Sequence, residues 1–166
     1  MARSADAPDI LILPPVLVGG TLLAGVGIHY AFWTVTVLPT MPARMIGITL
    51  LACSVLLGQR AHRAMKRAGT NVLPTRPTLA IATDGPYRFT RNPIYIAAIG
   101  VYAGVSLLVN GLAPLLLLIP MSVLLHRGIV LPEERYLTSK FGETYRSYQS
   151  AVPRWLVFRH RAVNRS

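Results

Sequence analysis

Residues 92–126, NPIYIAAIGVYAGVSLLVNGLAPLLLLIPMSVLLH, run for 35 positions without a formal charge. As one α-helix this stretch would be about 52 Å long at 1.5 Å per residue. The hydrocarbon core of a bilayer is about 30 Å thick, so one span cannot use it all. Asn110-Gly111 stands near the middle and is a turn dipeptide. The stretch therefore reads as two transmembrane helices, about 92–109 and 112–131, joined by a tight turn. Pro120 is expected to kink the second, because it removes a backbone donor.

The same logic extends towards the N-terminus. Residues 10–43 are also free of formal charge, and Pro14-Pro15 should break or start a helix there. Residues 45–59 are charge-free but short, and Arg60 and Arg63 can snorkel from the helix end. Four spans follow, at about 12–34, 43–67, 92–109 and 112–131, within a single domain covering 1–166. Composition agrees. The chain of 166 residues is 52% apolar and only 14% charged. Disordered chains lack such apolar content, and ordinary soluble domains are about 25% charged. With one cysteine, Cys53, there is no intramolecular disulfide and no cysteine zinc cluster. The first stretch does not read as a secretory signal peptide, because Asp6 and Asp9 offset Arg3.

The charge is distributed by topology. Four spans place both termini on one side, together with the segment between spans two and three. That side holds 16 of the 17 Lys and Arg residues; only Arg44 lies opposite. The positive-inside rule puts the basic face, both termini and the polar segments in the cytoplasm. The net charge of +11 then reflects orientation and attraction to anionic lipid heads, so nucleic acid is not an expected partner. Gly100 and Gly104, with Gly20, Gly25 and Gly27, are small residues of the kind that let helices approach in lipid. They permit a homodimer as well as packing within the chain.

The chemistry-bearing residues gather at the cytoplasmic side. Residues 69–93 form a long loop rich in Thr, Gly and Asn, stiffened by Pro74, Pro77, Pro86 and Pro93, which favours an ordered lid or pocket wall. Glu133 and Glu134 are adjacent carboxylates at a membrane-exit helix. They either pair with the surrounding arginines or face a cationic ligand. His126 lies seven residues before Glu133, on the same face of an ideal helix. It is a packing residue or a base. Asn92, Tyr95 and Tyr102 form a stripe on span three. Residues 141–161 read as a short interfacial helix, a turn at Pro153 and a Trp155 anchor. There is no phosphate-binding glycine loop, no nucleophile elbow and no metal-ligand cluster.

Three segments in order, GPYRFTRNPIY (85–95), PEERYL (132–137) and FGETYRSYQSAVPRWL (141–156), resemble the isoprenylcysteine carboxyl methyltransferase and phospholipid methyltransferase family. RAGTNVLPTRPT (67–78) looks like a bacterial branch of it. The family's signature is Arg-His-Pro-x-Tyr-x-Gly followed by Glu-Glu one hairpin later. Asn92 stands in place of the His and Ala97 in place of the Gly, and asparagine cannot titrate.

The resemblance implies an all-α integral-membrane enzyme of the inner membrane. In it, the cytoplasmic loop and the C-terminal interfacial helix form a pocket for S-adenosylmethionine. The methyl would pass by in-line displacement to a lipophilic acceptor, such as an isoprenylcysteine-like carboxylate. An ethanolamine phospholipid or a small thiol are alternative acceptors. Carried over residue by residue, the cofactor site comprises Gly85, Tyr87, Arg91, Asn92, Pro93, Tyr95, Glu133 and Glu134. Catalytic roles fall to Arg91, Asn92, Glu134 and His126, the last as base for an amine or thiol. Glu134→Gln is expected to reduce cofactor binding. No metal is implied. A larger, nicotinamide-using sterol reductase shares related architecture, and a non-catalytic membrane subunit is the remaining reading.

Overall fold

The computed structural model describes residues 8–10, 12–72 and 76–156. Pro74, and the basic residues Arg3, Arg159, Arg161 and Arg165, lie outside the described residues. The architecture is helical throughout: α1 (Pro14–Ala31), α2 (Thr40–Arg67), a 3₁₀ turn (Gly85–Arg88), α3 (Pro93–Val109), α4 (Leu112–Leu125), a π turn (His126–Val130), α5 (Leu131–Phe141) and α6 (Glu143–Ala151). Among the described residues the one β pairing is an isolated bridge between Thr36 and Gly111.

The helix starts have simple causes. Pro14 and Pro15 occupy the first turn of α1 and Pro93 that of α3, where a missing N–H costs nothing. Lys66 and Arg67 close α2 and complement its C-terminal partial charge. Helices α1, α3 and α4 are apolar on all sides, as lipid-embedded helices are. Large apolar side chains such as Leu23, Met45, Ile48 and Ile119 accordingly remain exposed. Among the described residues, three helices are long and apolar enough to cross a membrane: Pro14–Ala31, Thr40–Arg67 and the continuous Leu112–Phe141. Helix α3 is apolar but shorter, at 17 residues.

Helix α3 packs against α1, α2 and α4. Its closest neighbour is α2, where the backbones meet at Gly47 and Gly104. A Cβ on Gly104 would lie 3.1 Å from the Gly47 carbonyl oxygen, and one on Gly47 would lie 2.9 Å from the Gly104 carbonyl oxygen. The small-residue pair on α3 is thus occupied inside the chain. Gly25 of α1 is likewise in contact with Pro114 of α4, whereas Gly20 and Gly27 face open space.

The Asn110-Gly111 turn is present and is tied down. Asn110 adopts the left-handed conformation, with φ 56° and ψ 33°. Its Oδ1 accepts from the Val37 and Leu38 amides at 3.2 and 3.1 Å, and its Nδ2 donates to the Leu38 carbonyl at 2.7 Å. One side chain therefore joins the two inter-helix connections at this end of the bundle.

The last helices depart from expectation. Helix α4 continues through Pro120, and regular α-helical bonding is interrupted further on, at His126–Val130. There the Leu131 amide donates to the His126 carbonyl, five residues back. Pro132 explains the break. It has no N–H to give Gly128, and its ring would crowd that carbonyl in α geometry. The wider turn carries the helix onward to Phe141 rather than ending it at 131. It also inserts a residue into the register, so His126 and Glu133 no longer share a face. Trp155 is half-buried, packs against the central core and has its ring 5.8 Å from that of His126.

Replacing Asn110 by Ala should lower stability by about 2–3 kcal/mol, from three lost hydrogen bonds at roughly 1 kcal/mol each. Equilibrium unfolding in mixed micelles measures this, and an unchanged midpoint would contradict the role given to Asn110.

Candidate active site

A cavity of about 200 Å³ opens where α1 and α3 begin and α2 ends. Pro14 and Pro15 of α1 form part of one side, and Met65 of α2 another. Thr70, Thr78 and Ile81 contribute from the connecting segment, which therefore does serve as a pocket wall. Its course is fixed by local bonds: the Leu79 amide donates to Thr70 Oγ1 at 3.0 Å, and Asn71 Nδ2 donates to the Pro77 carbonyl at 2.8 Å.

The polar side of the cavity is built from Tyr87, Arg91, Asn92, Tyr95, Glu133, Tyr145 and Tyr148. The Tyr95 hydroxyl donates to Glu133 Oε2 at 2.6 Å, a charge-assisted bond across from α3 to α5. The Tyr148 hydroxyl donates to the Tyr87 carbonyl at 2.7 Å, joining α6 to the 3₁₀ turn. Burial pushes the phenols of Tyr87 and Tyr148 upward. Tyr145 is pushed up to about 12, first by burial and then by the Glu134 carboxylate. These three rings consequently stay neutral and offer O–H donors and aromatic faces, not a phenolate base.

Glu134 points elsewhere. It is 6% exposed and does not line this cavity. Arg154 grips it in a fork, Nε to Oε1 at 2.9 Å and Nη2 to Oε2 at 2.6 Å. Arg91 Nη1 lies 2.9 Å from the same Oε1. The hydrogen bond to Glu134 is the leading reason that the Arg154 guanidinium is held above its ordinary range. The alternative in which the carboxylate pairs with arginines thus holds for Glu134, while Glu133 faces the cavity. Arg91 bridges the two environments: its Nε and Nη1 are buried without a well-directed hydrogen bond, although Nη1 is close to Glu134.

The chain after α6 completes the arrangement. The Arg91 amide donates to the Pro153 carbonyl at 3.0 Å. Thr90 Oγ1 and Asn92 Nδ2 both donate to the Arg154 carbonyl, at 2.8 and 3.1 Å. Asn92 therefore uses its amide to hold backbone, a task that needs no titration.

The residues singled out from sequence separate into groups. Tyr87, Arg91, Asn92, Tyr95 and Glu133 converge on the cavity. Gly85 and Pro93 do not line it. Gly85 supplies a positive φ of 59° at the start of the 3₁₀ turn, and Pro93 is buried at the start of α3. Tyr102 belongs to the core, and His126 lies against Trp155 outside the cavity. Thr90, Tyr145, Tyr148 and Arg154 were not singled out. Tyr145 and Tyr148 are three apart on α6, a spacing that puts both on one face and was visible in the sequence.

The fold and site define a helical membrane protein with a polar, tyrosine-walled cavity at one end of its apolar helices. The phospholipid methyltransferase family profile matches residues 42–144, well over half of the chain. The chain belongs to that family, whose members are membrane methyltransferases. No curated protein and no solved structure matches it.

Removing the shared anion should be costly. Glu134→Ala leaves two guanidinium groups facing each other. It is expected to destabilise the fold by about 3 kcal/mol, the scale for a broken buried pair, with Arg154 partly screened. A denaturation midpoint within error of the parent would refute this.

Proposed function

We propose that the protein is an integral-membrane, S-adenosylmethionine-dependent methyltransferase acting on a lipophilic acceptor dissolved in the bilayer. The observation that carries this reading is that Arg91, Glu133 and four tyrosines line one cavity. The cofactor is a zwitterion with a sulfonium, and the donor set suits it. Arg91, with buried N–H groups lacking directed bonds, suits a carboxylate. Glu133, whose Oε2 is already bonded by Tyr95, suits an ammonium or ribose hydroxyls. The faces of Tyr87, Tyr145 and Tyr148 suit a cationic sulfur.

The bound cofactor supplies an activated methyl group. What the chain's own residues do is bind, orient and exclude water. Glu134 holds Arg91 in place from behind. Tyr95 fixes the Glu133 carboxylate by one oxygen. Thr70, Thr78 and Ile81 cover the cavity on the loop side. His126 does not line the cavity, so its imidazole is not placed to take a proton from an amine acceptor there.

An aminophospholipid acceptor is the second reading. Glu133 favours it, because a carboxylate acceptor would meet like charge there. In the proposed topology α3 serves as a fourth span: its 17 residues cover about 26 Å at 1.5 Å per residue. The cavity, the loop and both termini then face the cytoplasm, in agreement with the basic side of the chain.

Calorimetry on detergent-purified protein tests the assignment. S-adenosylmethionine should bind, and Glu133→Gln should weaken it about tenfold or more, the scale of a lost charged hydrogen bond. A folded parent protein that does not bind, or a variant with unchanged affinity, would remove the proposal's basis.

A further inference from the structure

A second concavity, of about 640 Å³, lies on the far side of the 85–92 wall. Side chains alternate across that wall. Tyr87, Arg91 and Asn92 face the tyrosine cavity, whereas Arg88, Phe89 and Thr90 face the second groove. Its floor is apolar, formed by Cys53, Leu56 and Leu57 of α2 with Leu156 from the segment after α6. Leu56, Phe89 and Leu156 are each more than half exposed. Its remaining charged lining is Arg60 and Arg88, with no acidic residue. Both arginines are exposed, and neither takes part in an ion pair among the described residues.

Depth decides what such a groove meets. Arg60 directly follows the charge-free segment 45–59 of α2. The apolar floor therefore lies at hydrocarbon level and the two guanidinium groups lie at the level of lipid heads. We propose that this groove binds an anionic phospholipid of the surrounding leaflet, its phosphate between Arg60 and Arg88 and an acyl chain along Leu56, Phe89 and Leu156. Two unpaired arginines over an apolar trough complement a negative head on an apolar tail, and guanidinium groups grip phosphate oxygens with directed bonds. The inference rests on membrane insertion and is independent of methyl transfer, since the groove and the tyrosine cavity use different side chains.

Cys53, the one cysteine of the chain, lies in the groove and is exposed, so it reports occupancy. The protein in neutral maltoside detergent is titrated separately with dioleoyl phosphatidylglycerol, dioleoyl phosphatidylcholine and inorganic phosphate. Bound lipid is counted by native mass spectrometry, and Cys53 alkylation by N-ethylmaleimide is timed. Phosphatidylglycerol should bind several-fold more tightly than phosphatidylcholine and slow the alkylation. Each of Arg60→Gln and Arg88→Gln should weaken phosphatidylglycerol about fivefold, the effect of one basic residue near a lipid head, and leave phosphatidylcholine unchanged. Phe89→Ala should weaken both lipids. Equal binding of the two lipids, unchanged affinity in both arginine variants, or alkylation unaffected by phosphatidylglycerol would overturn the proposal. So would protection by inorganic phosphate alone.

Discussion

The Glu134 carboxylate is the fixed point of the architecture around the cavity. It is buried, and two arginines from distant parts of the chain share it, Arg91 ahead of α3 and Arg154 after α6. Taking the Glu134 carboxylate and the largely covered Arg91 guanidinium out of water is expensive, and such a group persists only where each member is paired. The pairing settles where the C-terminal segment must run. That segment in turn presents the Pro153 and Arg154 carbonyls to Arg91, Thr90 and Asn92. Through it, α6 is set beside the 3₁₀ turn, and Tyr145 and Tyr148 reach the cavity. The carboxylate next to it in sequence, Glu133, is turned by its helical position to the opposite task. One carboxylate builds the wall and the other faces the contents.

The membrane-embedded part makes a complementary contribution. Apolar helices in lipid gain little from mutual hydrophobic burial, so close packing and capped turns must locate them. The Gly47–Gly104 approach seats α3 on α2. The Asn110 side chain ties the far connections together. With the helices so placed, the ends of α1, α2 and α3, together with α5, α6 and the connecting loop, all contribute to the cavity lining. The π turn before Pro132 adjusts the register of α5 so that Glu133, and not His126, arrives at the cavity.

Much of this was legible in the sequence because the signals were strong and local. The long charge-free runs, Asn110-Gly111 and Pro14-Pro15 mark helices and turns by physical necessity. The order of three motifs placed Tyr87, Arg91, Asn92, Tyr95 and Glu133 near one another. Less was legible where the outcome depended on three-dimensional competition. Glu133 and Glu134 look equivalent in one dimension, and only the location of Arg154 separates them. The seven-residue spacing of His126 and Glu133 presumes an unbroken α-helix, which Pro132 prevents. Trp155 carries the signature of an interfacial anchor, and nothing in one dimension shows that it also packs, half-buried, against the core beside His126. The glycine stripe on α3 does not say which helix it serves.

The central claim is that one tyrosine-walled cavity receives the cofactor, with Glu133 and Arg91 at its polar side. Ultraviolet cross-linking of methyl-tritiated S-adenosylmethionine to the purified protein, followed by peptide mapping, tests it most directly. The account predicts label in the peptides carrying Tyr87–Tyr95 and Tyr145–Tyr148, lost on competition with unlabelled cofactor. Competable label confined to peptides that do not border the cavity would contradict it.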